Sequence, residues 1–120
     1  MDWLITIPKT TDWAEYLNEL EDVKDYRKIM SYRLSYQPKQ MQVGDRMFVV
    51  YNGNIQGWMA ITGIIYKKGF VCETTGREWP DGYYVERSGP FHPIIGIRYP
   101  GFRGIRKFEY NSIAPLSIKE

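Results

Sequence analysis

Cations and aromatic rings interleave along this chain. Arg33, Arg87, Arg98, Arg103, Arg106 and Lys107 alternate with Tyr99, Phe102 and Phe108, most densely in GFRGIRKF at residues 101–108. That mixture suits single-stranded nucleic acid, because bases stack on rings while cations follow the phosphates. The same segment can also be read without a ligand, with Phe102, Ile105 and Phe108 in a core and the cations in solvent. Further aromatics could meet a ligand. Trp79 sits in the polar loop TGREWPDG, where a large ring has no evident core reason. Trp58 follows Gly57, a residue that lets a ligand or another backbone approach closely, although a strand tryptophan also fills a core.

Catalytic groupings are sparse. His92 is the only histidine and stands between Phe91 and Pro93, a structural setting. The chain has no HExxH, no His/Cys cluster at metal-ligand spacing and no P-loop lysine, so neither a metal nor a cofactor is expected. Asp45 and Glu78 form an acid/base pair only if folding joins them. Composition adds bounds. One hundred and twenty residues make a single domain, residues 1–120, with one core. A single Cys72 excludes an internal disulfide framework. The opening MDWLITIPK is no signal peptide, and no run of about 18 apolar residues is present, so a cytoplasmic protein without a membrane partner is expected. The net charge of +2 hides a division: residues 1–25 hold seven acids and two bases, residues 26–120 fourteen bases and seven acids. A basic face beside an acidic helix follows.

Elements must position these side chains. Trp3–Ile7 alternates and is rich in β-branched residues, a strand that Pro8 ends. The next segment offers Thr10, Thr11 or Asp12 as N-cap, and Trp13, Leu17 and Leu20, widened by Tyr16 and Val23, form the apolar stripe of a helix. Met30–Tyr36 reads as strand or extended chain. Arg46–Tyr51 is a strand, and Asn52-Gly53 is the dipeptide of a type I′ turn, so Ile55–Ile65 returns antiparallel. Strands FVCET and YYVER, loops TGREWPDG and SGPFHP, and one or two closing strands split at Pro100-Gly101 complete the chain. Many short strands with a helix after the first predict an α+β fold built on a small mixed β-barrel. A two-residue loop at Asn52-Gly53 pairs Met47 with Trp58 and puts Met47, Val49, Tyr51 and Trp58 on one face, barring a bulge at Gly57. Tyr51 then stands at the rim, where ligands arrive, and Trp58 in the wall.

QPKQMQVGDRMFVVYNGNIQGWMAITGI, with the opening MDWLITIPKTTDWAEYL and the closing NSIAPLS, resembles the PUA-like superfamily, which includes the EVE, ASCH and YTH domains. Residues 66–97 match none of its motifs. The resemblance implies a five- or six-stranded mixed barrel flanked by one or more helices. It also implies a cleft that binds nucleic acid or a nucleotide, with a modified base held among aromatics as one version. On its pattern Pro8, Lys9, Thr10, Tyr51 and Asn52 face the cleft. A flipped base needs stacking faces and paired donors and acceptors, which Tyr51 and Asn52 could supply, though Asn52 is also explained by the turn. Two alternatives stay open. Some ASCH relatives are amidohydrolases acting on acylated nucleosides, and Lys9, Thr10 and Glu78 supply their residue types. A phage or mobile-element protein-interaction module would instead show a large apolar patch and no basic groove.

Overall fold

The computed structural model describes residues 1–34, 36–71 and 74–110; Cys72 and the closing NSIAPLS lie outside the described residues. The elements run β1 Asp2–Thr6, α1 Trp13–Val23, β2 Met30–Leu34, β3 Arg46–Tyr51, β4 Asn54–Lys67, β5 Phe70–Val71, β6 Glu78–Trp79, β7 Gly82–Arg87, β8 His92–Pro93 and β9 Ile105–Phe108. Seven strands form one mixed sheet in the order β2-β7-β4-β3-β1-β9, with β8 also on β4; β5 and β6 make a separate hairpin. Among the described residues, only β1 and β3 run parallel. The fold is therefore α+β, as expected. The hydrogen-bonded path, however, ends at β2 and β9, which do not pair with each other. No helix among the described residues is long and apolar enough to cross a membrane.

Strand alternation divides the sheet into two apolar faces. On one, Trp3, Ile5, Met47, Val49, Met59, Ile61 and Val85 are covered by α1. On the other, Leu4, Phe48, Val50 and Ile55 are covered by Ile97 and Phe108 from the C-terminal segment. The long strand β4 serves both faces and turns from β3 to β7 through an irregularity between Ile61 and Gly63.

Asp12 caps α1, its carboxylate accepting from the Ala14 amide at 2.9 Å. The buried stripe is Tyr16, Leu20 and Val23, with Trp13 packed beside it, whereas Leu17 is exposed. Of the expected stripe only Leu17 falls outside: at about 100° per residue, it stands roughly 80° from the middle of the observed face. The far end of α1 is tied to the chain after β7. The Gly89 amide donates to the Val23 carbonyl at 2.8 Å, and the Ser88 hydroxyl donates to the Lys28 carbonyl at 2.7 Å.

The turn between β3 and β4 forms as its dipeptide demands, with φ of 52° at Asn52 and 76° at Gly53. The expected register beyond it does not hold. Tyr51 pairs with Asn54 and Val50 with Ile55, but Val49 then pairs with Gly57 and Phe48 with Trp58. Gln56 is the extra residue of a β-bulge, and its side chain donates to the Tyr51 carbonyl at 2.9 Å. One inserted residue flips every later side chain, so Trp58 leaves the face of Met47, Val49 and Tyr51 and joins that of Phe48. Gly57 is needed there because Phe91 and the His92 carbonyl lie against it; a Cβ would meet the Phe91 ring at 2.5 Å. Gly57→Ala should therefore cost about 1–3 kcal/mol through overpacking. Urea unfolding checks it, and an unchanged midpoint would mean that Phe91 is not seated on the bulge.

Candidate nucleic-acid interface

Three residues expected at the cleft do converge. Pro8, Lys9 and Asn52 line a groove of about 420 Å³ whose opposite wall is Pro100, Gly101 and Phe102. Each is placed by local chemistry. Pro8 and Lys9 follow the end of β1, where the Thr11 amide bonds back to the Pro8 carbonyl at 2.9 Å. The left-handed turn presents Asn52. The Phe102 amide donates to the Thr6 hydroxyl at 3.2 Å, and the Tyr99 amide to the Gly53 carbonyl at 3.0 Å, which holds the C-terminal segment along the turn.

Cations border this groove. The Arg106 guanidinium lies over the Phe102 ring, 4.3 Å from its centroid, a cation–π contact. Arg103 follows Phe102, and Arg98 bridges Asn54 beside the turn. Lys9, Arg98, Arg103 and Arg106 are exposed and form no ion pair with a carboxylate among the described residues. Lys107 is exposed as well, but strand alternation sends it to the opposite side: it pairs with Trp3, whereas Arg106 pairs with Leu4.

Other expected residues stand elsewhere. Thr10 is exposed in the turn before α1 and does not line the groove. Tyr51 is not a free rim aromatic. Its ring stacks on Trp13 at 4.6 Å, and its hydroxyl donates to the Thr11 carbonyl at 3.0 Å, so it anchors the start of α1. Trp58 is half-buried and stacks on the exposed His92 ring at 4.1 Å. Arg33 is exposed on β2, its guanidinium donating to the Asp81 carbonyl at 3.0 and 3.2 Å. Arg87, expected among the surface cations, is instead 2% exposed. Its reason is alternation: two residues beyond Val85 on β7, it faces the main core.

Around Arg87 lies a second cavity, of about 220 Å³; of the residues that line it, Pro8, Trp79 and Arg87 were expected to meet a ligand, Arg87 from the surface, and the rest were not. Its walls include Tyr16 and Glu19 of α1, Tyr32 of β2, and Thr74 and Trp79 of the β5–β6 hairpin. Burial pushes the Glu19 carboxyl above its ordinary range, only partly offset by the Thr74 hydroxyl at 3.4 Å and the charge of Arg87. Burial likewise raises the Tyr32 phenol, against the opposing pull of Arg87. The acid/base pair imagined for Asp45 and Glu78 does not form: Asp45 is buried and accepts from Trp3 Nε1 at 3.0 Å and the Gln42 amide at 2.9 Å, while Glu78 is exposed on the hairpin. Nor does Glu78 line the groove that takes Lys9.

No family model, curated protein or solved structure matches this chain.

Proposed function

We propose that this chain is a nucleic-acid-binding domain of PUA-like type that holds single strands along the groove between the Asn52-Gly53 turn and Phe102. The observation that carries this reading is a set of four exposed cations that have no carboxylate partner among the described residues: Lys9 in the groove with Phe102, Arg106 over the Phe102 ring, and Arg98 and Arg103 on the segment that carries that ring. The ring supplies a stacking face and the cations follow the backbone, the division of labour that single strands require. Two features support the PUA-like assignment. The helix follows the first strand and packs on one face of a mixed sheet. The chain at the two edges of that sheet also comes close, the Tyr32 hydroxyl donating to the Gly104 carbonyl at 3.5 Å, which supports a barrel-like arrangement although no ladder joins β2 to β9. A base, modified or not, is the unit read within this arrangement.

Salt dependence tests the proposal. If each of the four cations neutralises one phosphate, the logarithm of affinity for a single-stranded oligonucleotide falls with log salt at a slope of about −2.8. Between 50 and 200 mM salt this is a loss of about fifty-fold. Changing Arg103 and Arg106 together to Ala should reduce the slope by about 1.4 and weaken all sequences alike. Fluorescence titration reads both quantities. Salt-independent binding, or none at low ionic strength, would overturn the proposal.

A further inference from the structure

The cavity around the buried Arg87 has a chemistry of its own. The Arg87 guanidinium has one hydrogen-bond partner among the described residues, the Tyr16 hydroxyl at 3.3 Å from Nη1, and its Nε has none. No carboxylate lies within ion-pair distance among the described residues. A buried cation whose one hydrogen-bond partner among the described residues is a neutral hydroxyl, with Glu19 acting on it only from beyond ion-pair distance, is poorly compensated, and an acceptor that enters the cavity would repair that. The opposite requirement stands close by. Glu19, three residues after Tyr16 on the same side of α1, lines the same wall and presents an acceptor whose burial disfavours its charge. Ile7 and Met30 add apolar surface, and Trp79 adds a ring.

We propose that this cavity binds a neutral planar heterocycle of nucleobase size that carries a ring carbonyl beside a ring N–H, with Arg87 donating to the carbonyl oxygen and Glu19 accepting from the N–H. A volume of about 220 Å³ holds one such ring and little more. A phosphate is the wrong occupant, because Glu15, Glu19 and Asp22 of α1, against the one cation Arg77, line the adjoining surface and repel a dianion. The heterocycle can arrive as a free nucleoside or as a base unstacked from a strand. Only the second source rests on the nucleic-acid reading.

Calorimetric titration with uridine and guanosine, which carry the carbonyl and N–H side by side, and with 3-methyluridine and 1-methylguanosine, which keep the carbonyl but lack the N–H, tests the pocket directly. One of the first two should bind at least about tenfold more tightly than its N-methylated counterpart, since buried hydrogen-bonding groups reject an analogue that leaves them unpaired. Arg87→Met should abolish that preference while leaving the melting temperature unchanged or higher, because exchanging a buried charge for an apolar side chain is often stabilising. Should Arg87→Met fail to fold, Glu19→Ala, at a less buried position, decides the matter and should lose at least about tenfold. Arg103→Ala with Arg106→Ala should leave nucleoside affinity unchanged. Where free nucleosides do not bind but oligo(U) outbinds its N3-methylated form only with Arg87 and Glu19 intact, the occupant is a base in a strand. No preference in either format, or a preference that survives both pocket variants, overturns the proposal even if salt-dependent binding along the groove persists.

Discussion

Phe48→Ala should lower the free energy of unfolding by about 3–5 kcal/mol, the usual cost of emptying a fully buried phenyl site. Phe48 is 0% exposed and organises the second face of the sheet. Phe108 meets its ring edge-on at 5.1 Å, Tyr110 at 4.9 Å and Trp58 at 6.2 Å, and the Arg46 guanidinium lies 5.4 Å from its centroid. Arg46 cannot collapse into the void, because a bidentate pair with Asp2 at 2.8 Å holds its head in place. A domain of this size has only about 5–15 kcal/mol in total, so the variant should be partly unfolded at 37 °C. Phe48→Leu, which fills most of the volume, should lose much less. Urea unfolding measures both; a loss under about 1 kcal/mol for Phe48→Ala would mean that the second face is not a core.

Asp45→Ala should cost about 2–5 kcal/mol at neutral pH, because it strands the buried Trp3 indole N–H and the Gln42 amide. Burial alone would raise the Asp45 carboxyl, but bonds from Trp3, Gln42 and the Met1 amino group outweigh it and hold the carboxyl below its ordinary range. The sign of the pH effect follows. A depressed folded-state pKa contributes stability that is present above the unfolded value, about 3.9, and disappears as pH falls through the folded one. The difference between parent and Asp45→Ala should thus be constant from pH 5 to 8 and shrink below about pH 4. Denaturant titrations across that range check it. A gap that widens on acidification would mean that Asp45 is already protonated in the folded protein. The same residue fixes the Gly44-Asp45 corner, whose backbone exchanges two 2.8 Å hydrogen bonds with Ile61.

Features that depend on neighbours in sequence were legible. Asp12 as cap, Asn52-Gly53 as a type I′ turn, and the first strand with its helix follow from local preferences. Features set by distant contacts were not. Gly57 signalled a bulge, but not that Gln56 would be its extra residue or that Phe91 and His92, more than thirty residues later, would sit against it. That one insertion moved Trp58 to the other face. Tyr51 was legible as a ring near a turn, but its occupation by Trp13 requires knowing how α1 docks. Trp79 was legible only as unexplained; it stacks at a tilt against Tyr84, 5.6 Å away, and lines the inner cavity. Arg87 was misplaced because arginine is so rarely buried. The signal was present all the same: in YYVER, period two puts Arg87 with Val85 and Tyr83, away from solvent.

The place of β1 between β3 and β9 sets a timetable for synthesis. Ile5 pairs with Val49 on one side and with Ile105 on the other. On a ribosome adding about 5–20 residues per second, β3 follows β1 within seconds, but β9 comes after a delay on the order of 5–20 s. During that interval the Leu4 side of β1 and its free N–H and C=O groups are uncovered, together with Phe48 and Val50 beside them. That is the apolar, unpaired margin on which nascent chains associate. Closure by such distant partners also makes folding slow relative to helical domains of equal length. Synthesis that stalls before Ile105 would therefore leave a chain whose sheet is largely built and adhesive, whereas one that stalls before Arg46 leaves β1 without a template.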